Sequence, residues 1–265
     1  MTLTPTHRVA AYRDQTVAIL GGTSGVGLSA ALQLAELGTR RFVLNGRNRD
    51  RGLEAVDRVR AAAPDAEIVF VAGDVGQAAT SEELVSTAWD RFGGLDGLVV
   101  SAGGNFPPRI LEKLPRADAE AIVQEYLMGT IYAFQAALPV LREGGGGSIV
   151  AVASDAAKVA TPGESVIGAA LAGIVMFSRV AAIEASRNGI RVNTVTPSII
   201  QGTRTYDMVM SDPFSQRLFG KAHERARLGV ATAADVAATV VFLLGPGPAR
   251  LTGQAISVNG GISAA

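Results

Sequence analysis

The 265-residue chain contains no cysteine, which excludes disulfides, thiolate catalysis and cysteine-bound metals. Neither sign of charge is in excess, because 24 basic residues balance 24 acidic ones, so nothing favours a nucleic-acid or anionic-membrane partner. Residues 1–13 have no apolar core of the signal-peptide type, and no apolar run approaches the length that spans a bilayer. No cluster of potential ligands indicates a metal. We therefore expect a soluble, cytoplasmic protein that acts on a small molecule.

Short apolar runs alternate with longer amphipathic runs along the chain. The pattern predicts strands at 16–20, 42–44, 67–71, 97–100, 148–153, 190–195 and 255–258, and helices at 25–38, 49–63, 80–92, 117–141, 164–187 and 233–244. This alternation predicts a single α/β domain over 1–265, a Rossmann-like, doubly wound parallel sheet with helices on both faces. The polar segment 201–229 breaks the alternation, and we expect it to be irregular and to cover the substrate as a lid.

A glycine-rich string follows the first predicted strand directly, Gly21-Gly-Thr-Ser-Gly-Val-Gly27. Glycine permits a tight turn and lets the backbone approach a pyrophosphate, while the next helix presents free N–H groups and its positive dipole end. A plain turn could have the same composition, but the strand–turn–helix context favours a dinucleotide site.

The spacing Gly21-x3-Gly25-x-Gly27 resembles that of the short-chain dehydrogenase/reductase family, and the resemblance covers about residues 16–262. It implies a nicotinamide cofactor and a set of residues that contact it. These residues are Gly21, Thr23, Ser24, Gly25, Val26, Gly27, Arg47, Asp74, Val75, Ser101, Ala102, Gly103, Pro197, Ile200 and Thr203. The chain departs from the family pattern at Leu20, where the family has threonine, and at Val100 and Ser101, where it has two asparagines.

The end of the second strand predicts the type of cofactor. A carboxylate there would bind a ribose 2′-hydroxyl and repel a 2′-phosphate, but this chain has Arg47, whose guanidinium can fork onto a phosphate. We therefore expect NADP(H) in preference to NAD(H). The alternative is that Arg47 is only a solvated loop residue.

The catalytic residues that the resemblance implies are mostly absent. In the family, a tyrosine donates a proton to the substrate oxygen, a lysine lowers the pKa of that tyrosine, and a serine and an asparagine assist. Ser154 matches the serine, but the tyrosine position holds Ile167 and the lysine position Leu171. The asparagine position holds Tyr126. General acid–base help is typically worth ~10²–10⁴-fold, so ordinary ketone reduction should be impaired.

Two residues are candidate replacements for the missing acid. Tyr126 carries a phenol, although a packed helix tyrosine is the plainer interpretation, because no cation is evidently placed to lower its pKa. Lys158 follows Ser154 by four residues and could donate a proton or bind an anion, or could be a solvated loop lysine. Glu164, Tyr206 and His223 could also reach a lid-covered site but are more often surface residues.

Three functions remain open. The first is an NADP(H)-dependent oxidoreductase that acts on C=O or C=N with a non-standard active site. The second is a non-catalytic cofactor-binding subunit, and the third is a non-redox enzyme, such as a cyclase, dehydratase or lyase, that reuses the pocket. The apolar helices 117–141 and 164–187 resemble the surfaces through which family members associate. We expect a homodimer or homotetramer, or a hetero-oligomer with an active homologue.

Overall fold

The computed structural model describes residues 9–103 and 106–265. Within them, seven parallel strands form one sheet in the order β3-β2-β1-β4-β5-β6-β7. The strands are β1 Thr16–Leu20, β2 Arg41–Gly46, β3 Glu67–Ala72, β4 Gly97–Val100, β5 Gly147–Val152, β6 Ile190–Pro197 and β7 Ala255–Val258. The predicted doubly wound sheet is confirmed, and each observed strand lies within two residues of its predicted bounds.

Helices cover both faces of the sheet. They are α1 Gly25–Glu36, α2 Arg49–Ala62, α3 Ala78–Phe92, α4 Arg116–Ile122, α5 Gly129–Glu143, α6 Ser165–Ser186, α7 Arg204–Ser211, α8 Pro213–Arg225 and α9 Ala233–Leu244. Alternate strand residues point to opposite faces, so Ala18 and Leu20 join the core under α3, α5 and α6. Val17 and Ile19 join the core under α1, α2 and α9. The strands are buried on both faces, which explains their continuous apolar runs.

The helix predicted at 117–141 is interrupted. Between α4 and α5, residues Val123–Met128 form a π-helical segment, and this segment carries Tyr126. A π-helical turn is rare and is often found at functional sites. The sequence gives no sign of it, because the same residues suit an α-helix.

The prediction that 201–229 is irregular is wrong, because the segment contains α7 and α8. The side chain of Thr203 caps α7, and that of Asp212 caps α8, with Pro213 at the first helical position. These are ordinary helix-start residues. The polar composition of the segment concealed them.

The helix α6 contradicts the expectation that no apolar run approaches the length that spans a bilayer. Its 22 residues include an 18-residue window of mean hydropathy 2.1, so by length and composition it could cross a membrane. This evidence is weak, because core helices of soluble proteins pass the same test and 44% of that window is buried inside the fold. The high hydropathy arises because the face away from the sheet is apolar too, with Met176, Val180 and Ile183 exposed.

Candidate functional site

A cavity of about 640 Å³ opens at the carboxyl ends of the strands. Ligands in open parallel sheets bind at this edge, where the strand order reverses, which here is between β1 and β4. Residues from the ends of six strands line the cavity: Gly21, Gly46, Gly73, Ser101, Ser154 and Pro197.

The loop between β1 and α1 and the first turn of α1, residues 21–27, bring backbone close to the cavity; we call them the glycine cradle. Gly21 has a φ of 75°, and a Cβ there would lie 2.7 Å from the carbonyl oxygen of Ser101. A Cβ at Gly27 would lie 2.3 Å from the carbonyl oxygen of Gly21. The side chain of Ser24, at the N-cap, makes no capping hydrogen bond, so the first N–H groups of α1 face outward without that partner. This arrangement fits a pyrophosphate.

All the cofactor contacts predicted from the sequence line the cavity except two. Gly27 lies at the back of the glycine cradle, where it permits the close packing described above. The Asp74 carboxylate accepts a hydrogen bond of 2.9 Å from the backbone N–H of Gly76. Asp74 therefore shapes the turn after β3, and its neighbour Val75 lines the cavity.

Two arginines line the cavity beyond β2. Arg47 has a half-exposed side chain, and its Nη1 lies 3.5 Å from Oε1 of the more buried Glu125. Burial raises the pKa of Glu125, and the charge of Arg47 opposes that rise. Arg51, which is not among the contacts predicted from the sequence, lies four residues further on and lines the same cavity. Its position four residues after Arg47, at the start of α2, was the available signal. Together the two guanidiniums fit a phosphate at the end of β2.

The wall formed by α6 is apolar. Ile167 is 7% exposed and Leu171 is 3% exposed, and both line the cavity. Glu164, Ile167 and Leu171 are spaced i, i+3 and i+7, so they share one face of the helix. The two positions from which the resemblance expects a phenol and an ammonium therefore present hydrocarbon to the cavity.

Ser154 lies in the cavity wall at the end of β5. Its Oγ accepts a hydrogen bond of 3.2 Å from the N–H of Ala156 and so caps the short 3-10 turn at Asp155–Ala157. The bond fixes the hydroxyl oxygen and leaves its hydrogen to be donated. Ser154 is thus a suitable hydrogen-bond donor for a ligand.

Tyr126 lines the same cavity from the π-helical segment. A Cβ at Gly103 would lie 2.7 Å from its ring, and the centroid of the Phe106 ring lies 6.3 Å from that of Tyr126. Burial raises the pKa of Tyr126, and the charges of Glu164 and Glu125 raise it further. The phenol stays protonated at neutral pH, so it can donate a hydrogen bond but is a poor proton donor.

The structure does not bring Lys158 into the cavity. Its Nζ donates to Oγ of Ser257 and, at 2.7 Å, to the carbonyl oxygen of Ala265. Lys158 is absent from the cavity wall, although Ser154 is four residues away. The reason is that Ser257 and Ala265 accept the hydrogen bonds of its ammonium group. We therefore do not retain Lys158 as a catalytic candidate.

Glu164 lies in the wall of the cavity. From the sequence, a surface position was the more usual expectation for it. Burial raises the pKa of Glu164 to about 7, and the nearby Thr161 side chain opposes that rise. None of the ion pairs formed by the described residues includes Glu164. Tyr206, from α7, also lines the cavity, and its hydroxyl lies 3.1 Å from Nε2 of His223.

Comparisons with known proteins agree with this geometry. A family model described as enoyl-(acyl carrier protein) reductase matches residues 21–263. Levodione reductase of Leifsonia aquatica is 32% identical, covering 100% of this chain and 98% of that protein. D-beta-hydroxybutyrate dehydrogenase of Rhizobium meliloti is 28% identical, covering 94% of this chain and 99% of that protein.

Solved structures show the same similarity. The crystal structure of levodione reductase gives a TM-score of 0.88 at 28% identity, covering 94% of this chain and 97% of that one. The structure of a short-chain type dehydrogenase/reductase from Mycobacterium ulcerans gives a TM-score of 0.87 at 26% identity, covering 96% of this chain and 91% of that one. With the cradle, the sheet order and these relatives, the chain belongs to the short-chain dehydrogenase/reductase family of oxidoreductases, which bind a nicotinamide cofactor.

Proposed function

We propose that this protein is an NADP(H)-dependent reductase of C=O or C=N bonds whose active site works without the tyrosine–lysine pair. One observation carries the proposal: the glycine cradle, the two arginines and Ser154 all open into one cavity. A single cavity of this kind can hold a dinucleotide and place a substrate beside Ser154.

The preference for NADP(H) rests on the end of β2. Arg47 and Arg51 lie there, and no carboxylate follows β2 at the position that would bind a 2′-hydroxyl. Glu125 orients Arg47 but is set back on the π-helical segment. Arg47 and Arg51 would hold the 2′-phosphate, and the cradle at Gly21 would hold the pyrophosphate.

The bound cofactor would supply the hydride, so the protein has to orient and polarise the substrate. Ser154 donates a hydrogen bond to the substrate heteroatom, and the protonated hydroxyl of Tyr126 is a second donor. Ile167 and Leu171 exclude water from the reacting carbon. The pocket is suited to substrates that develop little negative charge, because neither Ile167 nor Leu171 can protonate an alkoxide.

We also propose that α7 and α8 cover the substrate. Side chains from both helices line the outer part of the cavity, among them Tyr206, Val209, Leu218 and Phe219. The same helices also contribute the basic side chains of Arg204, Lys221 and Arg225, so the proposed cover is part apolar and part basic. The role of the segment is the one expected from the sequence, although its backbone is helical.

The two alternatives to an oxidoreductase receive less support. The relatives reported above are named as a reductase and as dehydrogenases, which supports redox chemistry over a cyclase, dehydratase or lyase. A non-catalytic subunit would not need the polar groups of Ser154 and Glu164 beside the apolar wall of Ile167 and Leu171. Both alternatives remain outcomes of the experiment below.

The experiment is a titration with NADPH and NADH, followed by intrinsic fluorescence and thermal shift. We expect saturable binding of NADPH and a higher melting temperature in its presence. If neither nucleotide binds up to millimolar concentration, the proposal is wrong. If NADPH binds, consumption of NADPH with a panel of ketones and cyclic imines separates a reductase from a non-catalytic subunit.

A further inference from the structure

Glu164 is the least explained charged group of the cavity. It lies one helical turn before Ile167 on the cavity face of α6, beside the apolar wall. It is the N-cap residue of α6, yet its side chain makes no capping hydrogen bond. No ion pair among the described residues neutralises it. The Thr161 side chain is a hydrogen-bond partner of the Glu164 carboxyl, but it is neutral and leaves the charge of the ionised form uncompensated. A cation that enters the cavity would supply that compensation.

Two other carboxylates line the cavity, and both have partners, whereas the basic residues of its wall lie on the cover formed by α7 and α8 and at the end of β2. Glu125 is paired with Arg47, and the Asp155 carboxylate accepts hydrogen bonds from Ser257, Asn259 and Ser263. The groups that interact with Glu164 are both neutral: the side chain of Thr161, through a hydrogen bond, and the phenol of Tyr126, through the charge of Glu164. The basic residues of the cover are Arg204, Lys221 and Arg225.

We propose that Glu164 binds the positive charge of the substrate, and that the substrate class is an iminium ion, reduced to an amine. This inference rests on the proposed reductase function and specifies its substrate. The carboxylate and the apolar wall of Ile167 and Leu171 together suit a compact organic cation better than a neutral ketone.

An iminium substrate also accounts for the missing proton donor. The hydride adds to the iminium carbon, and the π electrons of the C=N bond become the lone pair of the amine nitrogen. NADPH is oxidised to NADP⁺, the iminium is reduced, and no proton is consumed in this step. A ketone would instead form an alkoxide, which needs the acid that Ile167 has replaced.

The burial of Glu164 gives the cation site a pH dependence. Because burial raises the pKa of Glu164 to about 7, the free carboxyl is partly protonated at neutral pH. A bound cation favours the ionised form and lowers that pKa. Tyr126 keeps its proton, so Glu164 is the group beside the apolar wall that titrates in this range.

The test compares tetrahydroisoquinoline, an ammonium ion at neutral pH, with isochroman, its neutral oxygen analogue. Binding of each to the NADP⁺-saturated protein is measured by calorimetry. We expect the ammonium ion to bind at least about tenfold more tightly. In Glu164→Gln the two ligands should bind equally, whereas Glu164→Asp should retain part of the difference. Glu83→Gln, an exposed residue of α3, is the control and should behave as the wild type.

Kinetics with N-methyl-dihydroisoquinolinium, a permanently charged iminium, give a second readout. Glu164→Gln should lose about tenfold in kcat/KM, mainly through KM, because the lost interaction is present before the hydride moves. Equal binding of both ligands by the wild type, or an unchanged preference in Glu164→Gln, would overturn the inference. If neither NADP⁺ nor NADPH binds, the two ligands are compared on the protein without nucleotide. An ammonium preference that depends on Glu164 would then mean that the cation site stands and the reductase function is wrong.

Discussion

The guanidinium of Arg47 lies 3.5 Å from the carboxylate of Glu125, at the end of the cavity where β2 stops. Glu125 holds the guanidinium of Arg47 beside the proposed site of the 2′-phosphate. Because the Arg47 side chain is half exposed, the two residues do not form a buried salt bridge. A phosphate entering the site would compete with Glu125 for Arg47.

The first prediction follows from that pair. Arg47→Ala and Arg51→Ala should each weaken NADPH binding about tenfold or more, because each removes a charged hydrogen bond to phosphate. NADH, which has no 2′-phosphate, should bind the variants within about twofold of the wild type. Fluorescence titration measures both. Arg58→Ala, an exposed arginine of α2, is the control. Equal losses for NADPH and NADH would show that the arginines do not select the phosphate.

The second prediction concerns the apolar wall of α6. The double variant Ile167→Tyr, Leu171→Lys should gain reduction of a neutral ketone such as tetralone by about 10²-fold or more, because it restores a proton donor and its cation. Each single change should gain much less. NADPH consumption is the measurement. Ile167→Phe with Leu171→Met is the volume-matched control and should gain nothing. If the double variant folds and binds NADPH but shows no gain, the assignment of these positions is wrong.

The third prediction uses the carboxyl of Glu164. Its pKa rises from 4.5 to about 7 on folding, so between these values the folded state holds more protons than the unfolded chain. Stability therefore falls as pH rises through this window, by on the order of 3 kcal/mol. Glu164→Gln removes this cost, so it should gain stability relative to the wild type at about pH 8 but not at about pH 4.

Urea unfolding at both pH values measures the effect. Glu83→Gln, on the exposed face of α3, should show no such difference. A Glu164→Gln variant whose stability relative to the wild type is the same at both pH values would mean that the carboxyl is not buried in solution.

The sheet and its cradle could be predicted from the sequence because their signals are local. An apolar run followed by Gly21-x3-Gly25-x-Gly27 specifies a strand, a turn and a helix start within twelve residues. Right-handed crossovers then place helices on both faces of a doubly wound sheet. The face of the helix bearing Ile167 and Leu171 follows from its period.

Other parts of the site depend on contacts between distant residues. The side chain of Lys158 points away from Ser154 because Ser257 and Ala265 hold its ammonium, and those partners are about a hundred residues later in the chain. Glu164 lines the cavity, and the loop before it is held by a hydrogen bond from the backbone N–H of Arg109 to the carbonyl oxygen of Gly163, a contact that no local pattern shows. The helical cover at 204–225 was missed for another reason, since its caps were visible but its polarity suggested a loop.

The fourth prediction concerns the exposed apolar stripe of α6, formed by Met176, Val180 and Ile183. These side chains are 57%, 48% and 78% exposed and are spaced i, i+4 and i+7, so they share one face. We propose that a second copy of the chain covers them. Ile183→Asp should shift the protein to a smaller species in light scattering after size exclusion. Leu53→Asp, a similarly exposed residue of α2, should not. A wild type that is already a monomer would contradict the proposal.

The fifth prediction concerns the buried carboxylate of Asp155, which joins the loop after β5 to the C-terminal residues. Asp155 is 5% exposed and accepts hydrogen bonds from Ser257 at 3.1 Å, from Ser263 at 2.8 Å and from the buried amide of Asn259. Asp155→Ala leaves these donors without their acceptor, so it should lower the free energy of unfolding by about 2–4 kcal/mol.

Urea unfolding tests this prediction, with the exposed Asp90→Ala as the control, which should change the free energy of unfolding by about 0.5 kcal/mol or less. Asp155→Asn should lower the free energy of unfolding by an amount between those of Asp155→Ala and Asp90→Ala. Its single amide oxygen can accept only some of the hydrogen bonds that the carboxylate accepts. Because Asp155 directly follows Ser154, hydrogen exchange should speed up in Asp155→Ala both at the loop after β5 and at the C-terminal residues. Faster exchange at the C-terminal residues alone would mean that Asp155 anchors the tail without fixing Ser154.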